Sequence, residues 1–291
     1  MAILVDRDTR VVVQGLTGNE GRFHGLRNRA SGTMVVAGVT PGKSGQEVDG
    51  IPVFDTVADA VAETQANASL VFVPAAAAAD AVYEAVDAGV ATIVCITEFV
   101  PVHDTIRLAA YARMCGATLI GPNCPGVLSP GRSNLGIIPA ALFAAGPVGL
   151  VSRSGTLTYE IGHELAELGV GNSTIVGIGG DPVVGTSFIE ILDQFEADPE
   201  TEIVVLVGEI GGEEEEKAAR HVAERCSKPV LAYIAGFSAP PGKRMGHAGA
   251  IISRGSGTAE AKRQALEEAG IAVGTTPTEL ARLVAERSST R

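Results

Sequence analysis

Short runs of β-branched residues alternate along the chain with longer segments rich in Ala, Glu and Leu. In the first half, RVVVQG (10–15), TMVVAGV (33–39), ASLVFVP (68–74), ATIVCIT (91–97) and ATLIGP (117–122) read as strands. The segments between them, 20–31, 55–64, 76–89 and 102–116, read as helices, with Gly89 a stop signal. Strands written as apolar runs are buried on both faces, and their alternation with helices predicts a parallel, doubly wound sheet. The pattern pauses over 124–149, a stretch rich in Gly and Pro, and then resumes. Strands are expected at 147–152, 173–180, 202–210, 229–235 and 271–273, and helices at 157–169, 187–198, 213–226, 258–270 and 277–288. The helix at 213–226 begins acidic and ends basic, as the helix dipole favours. Its Glu213–Lys217 and Glu216–Arg220 pairs have the spacing of surface ion pairs. With the boundary in the pause, the expected domains are 1–145 and 146–291.

Composition narrows the function classes. The 291 residues are 46% hydrophobic, enough for two cores, and the net charge of −12 argues against a general nucleic-acid or membrane binder. No apolar run reaches the roughly 18 residues of a spanning helix, and the N-terminus enters the strand pattern directly. Cys95, Cys115, Cys124 and Cys226 form no CxxC pair and no zinc-like spacing, so they read as reduced thiols and no metal site is expected. The setting these features imply is the cytoplasm, or a mitochondrial matrix if a transit peptide has been removed.

Five stretches carry candidate chemistry. In VVVQGLTGNEG (11–21) a strand runs into Gly15, Gly18 and Gly21 and then a helix, so backbone N–H groups can meet a phosphate. The next strand ends in VTPGKSG (39–45), with Lys43 where a dinucleotide site has an acid for a ribose. That exchange suits a phosphate-rich adenine nucleotide other than NAD. ITE (96–98) and GPNCPG (121–126) fall where strands of the first domain should end, the edge at which open α/β sheets bind ligands. Glu98 reads as a ligand-edge acid, a helix cap or a solvated loop acid, and Cys124 as a small buried hydrophobe inside a rigid loop. VSRSGTLTYE (151–160) sets Ser154, Gly155 and Thr156 at a helix start, either an ordinary cap or an anion site. In VLVGEIGGEEEE (205–216), two glycines separate Glu209 from the acidic run, and its carboxylate can fix the tautomer of a histidine. Finally, GKRMGHAGAI (242–251) surrounds His247 with small residues beside Lys243 and Arg244, leaving room for a bulky group on the ring. His24, His103, His163 and His221 sit in helical segments and read as structural.

GLTGNEG, TPGKSG, ITE, GPNCPG, VSRSGTLTYE, GIGGDP, GEIGG and GKRMGHAGAI together resemble, in order and spacing, the α subunits of succinyl-CoA synthetase (succinate–CoA ligase). The resemblance runs from about residue 3 to about residue 288. It implies an α/β fold: an N-terminal Rossmann-like CoA-binding domain and a C-terminal flavodoxin-like parallel-sheet domain that carries the phosphohistidine loop. It implies coenzyme A held by Thr17, Gly18, Asn19 and Glu20, with Lys43 and with Ile96, Thr97 and Glu98. His247 then corresponds to the phosphorylated histidine, Glu209 to the acid orienting it, and Ser154 and Gly155 to the phosphate site. Tyr159, Asn123, Cys124 and Pro125 correspond to positions near the acid substrate. A β subunit is implied, in αβ or (αβ)2 form, carrying Mg-ATP or Mg-GTP; the chain itself has no Walker A motif. At Asn19-Glu20 the chain departs from many family members, which have a neutral or basic side chain; Glu20 can serve instead as a helix-start acid. Malate in place of succinate, a non-catalytic CoA-binding protein and an NAD-dependent oxidoreductase are the alternative readings.

Overall fold

A computed structural model of the chain describes residues 2–240, 245–252 and 257–289. The contacts divide it into two compact units: Leu4–Ile138 with Val183–Thr186, and Pro139–Pro182 with Ser187–Arg291 and the first three residues.

The first unit contains β1 (Arg10–Gln14), α1 (Asn19–Ala30), β2 (Met34–Val39), β3 (Glu47–Val48), β4 (Ile51–Phe54), α2 (Val57–Thr64), β5 (Ala68–Val71), α3 (Ala75–Asp87), β6 (Thr92–Cys95), α4 (Val102–Met114), β7 (Thr118–Ile120), β8 (Gly126–Ser129) and β9 (Ser133–Gly136). Six parallel strands run in the order β4-β2-β1-β5-β6-β7, that of a Rossmann sheet, and β3 adds an antiparallel edge to β4. Val11, Val12 and Val13 of β1 are wholly buried, as are Leu70 and Val71 of β5 and Ile93 and Val94 of β6, which is why these strands read as apolar runs. The β8–β9 hairpin pairs Gly126 with Gly136. A Cβ on Gly126 would lie 2.5 Å from the Gly136 Cα, so the hairpin needs its glycines for closeness. Asn28 of α1 donates to the Gly136 carbonyl at 2.8 Å and fastens the helix to it.

The second unit opens with one 3-10 turn (Ala140–Leu142) and continues with β10 (Ala145–Ser152), α5 (Gly155–Glu167), β11 (Asn172–Gly177), α6 (Phe188–Ala197), β12 (Ile203–Glu209), α7 (Glu214–Arg225), β13 (Val230–Ala235), α8 (Ala259–Glu268), β14 (Ala272–Gly274) and α9 (Pro277–Ser289). The parallel order β14-β13-β12-β10-β11 is flavodoxin-like. Helix starts follow the sequence: Ser187 and Glu190 form a reciprocal capping box on α6, and Thr258 caps α8.

The ion pairs expected along α7 do not form. Lys217 bonds Glu214 at 2.6 Å instead of Glu213, and Glu216 pairs with Lys262 of α8 at 3.0 Å. Glu213 is the N-cap, at φ −133°, so its side chain has left the helical row that places positions i and i+4 together. Glu216 is drawn to a buried ammonium, where a pair is screened less than at the surface.

Candidate functional site

Open α/β sheets bind ligands where the strand order reverses, at the carboxyl ends of the strands. In the first unit the reversal lies between β1 and β5. A cavity of about 510 Å³ opens there, lined by Gly15, Thr17, Gly18, Thr40, Phe72 and Val73 among others. Gly15 makes the turn at φ +85°, and a Cβ on it would lie 2.9 Å from the Phe72 carbonyl oxygen. A Cβ on Gly21 would lie 2.3 Å from the Gly15 carbonyl oxygen, so α1 begins hard against the turn. Gly18 is the N-cap and brings no capping side chain, which leaves the first N–H groups of α1, at Asn19 and Glu20, to a ligand.

Lys43 joins this turn: its Nζ donates to Thr17 Oγ1 at 3.3 Å, and Thr17 Oγ1 donates to Thr40 Oγ1 at 3.1 Å. Glu20 turns along the helix surface, 77% exposed, with its carboxylate 3.5 Å from His24 Nε2. His24 stacks on Phe72, and burial, followed by Arg27, lowers its pKa despite Glu20. Ile96, Thr97 and Glu98 follow β6. The Thr97 hydroxyl donates to the Val73 carbonyl at 2.7 Å, and the Asn123 N–H donates to the Thr97 carbonyl at 3.0 Å. Thr97 and Asn123 are thereby joined to each other and to a residue of the cavity wall. Glu98 is exposed and Pro101, not Glu98, caps α4. Cys124 is buried, its thiol donating to the Cys95 carbonyl at 3.3 Å, and Pro125 beside it is buried. Gly15→Ala introduces both strain at a positive φ and a clash with backbone, so the KM for a ligand held at this turn should rise at least ~10-fold with the fold retained. A KM within error of the parent would remove this turn from the ligand site.

In the second unit the reversal falls between β10 and β12. Glu209 is the last residue of β12 and Arg153 follows β10; each is 6% exposed. His247 comes to this edge. Its Nδ1 lies 2.8 Å from Glu209 Oε2 and 3.0 Å from Oε1. The ring lies against Gly180, where a Cβ would come within 2.3 Å of His247 Cγ. The loop is secured by Gly249 N–H donating to Gly180 O at 3.3 Å and Ala250 N–H donating to His247 O at 3.2 Å. A cavity of about 450 Å³ lined by Pro182, Gly212, Glu213, Lys217, Ala248 and Gly249 opens beside it. Lys243 and Arg244 lie outside the described residues.

The hydrogen bond to Glu209 raises the His247 pKa above its ordinary value; burial and Arg153 oppose this, and Asp181 adds to it. With Nδ1–H committed to Glu209, the free lone pair of the neutral ring is on Nε2. Because the pKa is raised, the neutral ring is lost sooner as pH falls, so any reaction that uses Nε2 as a nucleophile should fail on the acid side. Glu209→Gln removes the largest cause of that rise, so the acid limb should move to lower pH. At the same time the amide no longer selects the reactive tautomer, and the plateau should drop ~10²- to 10⁴-fold. A variant with the parental acid limb would show that Glu209 does not set the imidazole.

Ser154 caps α5: its hydroxyl accepts from the Leu157 N–H at 3.3 Å, and its own N–H donates to Ser152 Oγ at 3.0 Å. The ordinary capping role is therefore filled, and the N–H groups of Gly155 and Thr156 stand at the open end of the helix. Tyr159 lies in the next turn, half-buried. Sequence reading missed Arg153, Glu215 and Lys262, which meet behind Glu209; Arg153 Nε is 3.6 Å from Glu209 Oε1. Away from this edge, burial followed by Glu196 and Asp193 pushes the Cys226 thiol up to about 11, which makes it unreactive. No helix among the described residues is long and apolar enough to cross a membrane.

Residues 6–99 match the CoA binding domain family and residues 151–272 the CoA-ligase family. The chain is 62% identical to succinate–CoA ligase [ADP-forming] subunit alpha 2 of Archaeoglobus fulgidus, over 98% of this chain and 99% of that one. It is 57% identical to the succinate–CoA ligase [ADP-forming] alpha subunit of Aquifex aeolicus, over 98% and 94%. Among solved structures, ATP citrate lyase from Methanothrix soehngenii in complex with citrate and coenzyme A superposes with a TM-score of 0.89 at 26% identity. That match covers 99% of this chain, which spans about half (51%) of the lyase chain.

Proposed function

The chain belongs to the family of succinate–CoA ligase α subunits, and from that membership we propose that it acts with a β subunit to join succinate to coenzyme A with formation of ADP and phosphate. The observation that carries the mechanism is the His247 Nδ1 to Glu209 Oε2 hydrogen bond of 2.8 Å. It leaves Nε2 as the nucleophile. Nε2 attacks the terminal phosphorus of a nucleoside triphosphate, the N–P bond forms and the diphosphate leaves. The β subunit binds that Mg-nucleotide. A succinate carboxylate oxygen then attacks the same phosphorus, breaking the N–P bond and returning the lone pair to Nε2. The CoA thiolate attacks the carbonyl carbon of the acyl phosphate, and inorganic phosphate leaves with the electron pair of the broken C–O bond. Every step reverses, so the complex also makes ATP. Glu209 holds Nδ1–H throughout and offsets positive charge on the ring, and the start of α5 at Ser154 and Gly155 is the proposed site for the phosphoryl charge.

Coenzyme A is held in the first unit. The 510 Å³ cavity accepts an adenine nucleotide, and the uncapped start of α1 with Lys43 beside Thr17 provides donors to its phosphates. Thr97 and Glu98 flank the same edge, and Asn123, Cys124 and Pro125 are the residues of this unit proposed to serve the acid; Tyr159 is the residue of the second unit proposed for that role. The proposed setting is the cytoplasm, and the proposed assembly αβ or (αβ)2.

Purification with a tagged copy should bring down a β subunit, and the complex should form succinyl-CoA from succinate, CoA and ATP. CoA binding without turnover would favour a regulatory CoA-binding protein. Equal or higher kcat/KM with malate would replace succinate as the substrate, and NADH binding would overturn the assignment of the cavity to CoA.

A further inference from the structure

Behind the Glu209–His247 pair lies a chain of charges whose innermost members have no access to solvent. Glu215 and Lys262 are both 0% exposed. Lys262 Nζ donates to Glu215 Oε2, to the Gly212 carbonyl at 3.1 Å and to Glu216 Oε2 at 3.0 Å. The other oxygen of Glu215 accepts the Glu209 backbone N–H at 3.1 Å and lies 3.5 Å from Arg153 Nη1. Arg153 in turn donates to the Gly211 carbonyl at 3.4 Å and places Nε 3.6 Å from Glu209 Oε1. A Cβ on Gly208 would lie 2.8 Å from Glu215 Oε1, and one on Gly249 would lie 2.6 Å from Arg153 Nη2, so both charged groups are seated against bare backbone.

Burying two carboxylates, a guanidinium and an ammonium is costly unless each is paired, and an apolar cluster of equal volume serves stability as well. The arrangement makes sense through what it does to Glu209. Glu215 holds the main chain of Glu209 and also holds Arg153. Arg153 then reaches Oε1 of the Glu209 carboxylate without pairing fully with it, at 3.6 Å. Lys262 takes Oε2 of Glu215 and leaves Oε1 facing Arg153, which is thereby shared between the two acids. Without the Glu215 carboxylate, Arg153 would close on Glu209 and compete with His247 for its oxygens.

We infer that Glu215 and Lys262 are positioning residues for the phosphohistidine reaction: through Arg153 they hold Glu209 in the orientation that fixes the His247 tautomer. The inference rests on the functional reading of His247 given above. It concerns groups on or next to five neighbouring elements. His247 faces Glu209 at the end of β12, Arg153 after β10 and Asp181 after β11, and Glu215, Glu216 and Lys262 stand behind them on α7 and α8.

The test uses the αβ complex. Lys262→Met alone takes the ammonium from a buried carboxylate and can prevent folding, so the deciding variant is Glu215→Gln/Lys262→Met, which removes both charges at nearly constant volume. It should bind CoA with a KM within about twofold of the parent while kcat falls at least ~10-fold. The acid limb of the phosphorylation rate should shift with it. The ¹⁵N spectrum of unphosphorylated His247 should lose its single Nδ1–H tautomer. A variant that loses activity but keeps the parental acid limb and His247 spectrum would overturn the inference, as would one with parental kcat. If the parent complex forms no phosphohistidine, the functional reading fails, and the His247 spectrum still decides whether Glu215 and Lys262 set the ring.

Discussion

His247→Ala in the αβ complex should carry no acid-labile phosphate after incubation with γ-labelled nucleotide, and its turnover should fall at least ~10⁴-fold, the scale of losing a covalent nucleophile. The geometry leaves little room for a substitute. The imidazole is the group that Glu209 orients, and the other described histidines lie in α1, α4, α5 and α7. A water molecule in the alanine variant would yield hydrolysis of the nucleotide without a bond to this chain. CoA binding should survive, because its residues belong to the other unit, with a KM within about twofold of the parent. The two measurements separate loss of the nucleophile from loss of the fold. Equal labelling of the parent and His247→Ala would place the phosphoryl group elsewhere and end the proposed mechanism.

Much of this was legible in the sequence, for a physical reason. Strands such as β5, β6, β11 and β12 are buried at every position, so their apolar runs carry the information without help from distant residues. Glycines reported the site in the same local way. Gly211 and Gly212 separate Glu209 from the acidic start of α7, and small neighbours left the His247 ring accessible. What stayed hidden depends on partners far away in the chain. The two short hairpins, β3–β4 and β8–β9, contain Pro52 and close-packed glycines, which read as turns. Lys262 sits in TAEAKRQALEEAG and has the look of a solvated helix charge; only the placement of Glu215, 47 residues away, buries it. The same is true of Arg153, whose partners Glu209 and Glu215 lie far along the chain. Ser154 itself was open to two readings from sequence, and its hydroxyl proves to be occupied as the cap of α5.

Gly180→Ala should leave the protein folded and disable the histidine. The methyl carbon would lie 2.3 to 2.6 Å from His247 Cγ, Nδ1 and Cδ2, closer than van der Waals contact permits, so the ring has to leave its seat. His247 is 29% exposed, which gives it somewhere to go, and the cost in stability should stay near the low end of the ~1–3 kcal/mol of an overpacked core. Catalysis has no such latitude. Displacing the ring by about 1 Å lengthens the hydrogen bond to Glu209 and misaims Nε2, and a displacement of that size costs ~10²-fold in rate. The variant should therefore show a kcat reduced by about 10²-fold, an unchanged KM for CoA and a ¹⁵N spectrum in which Nδ1–H is no longer held. It differs from His247→Ala in one informative way: the nucleophile is still present, so slow labelling persists and rises as pH increases and the ring becomes neutral. A Gly180→Ala enzyme that labels at the parental rate would mean that the ring works from a position other than the one against Gly180, and the Glu209 hydrogen bond would lose its standing as the arrangement that selects the reactive nitrogen.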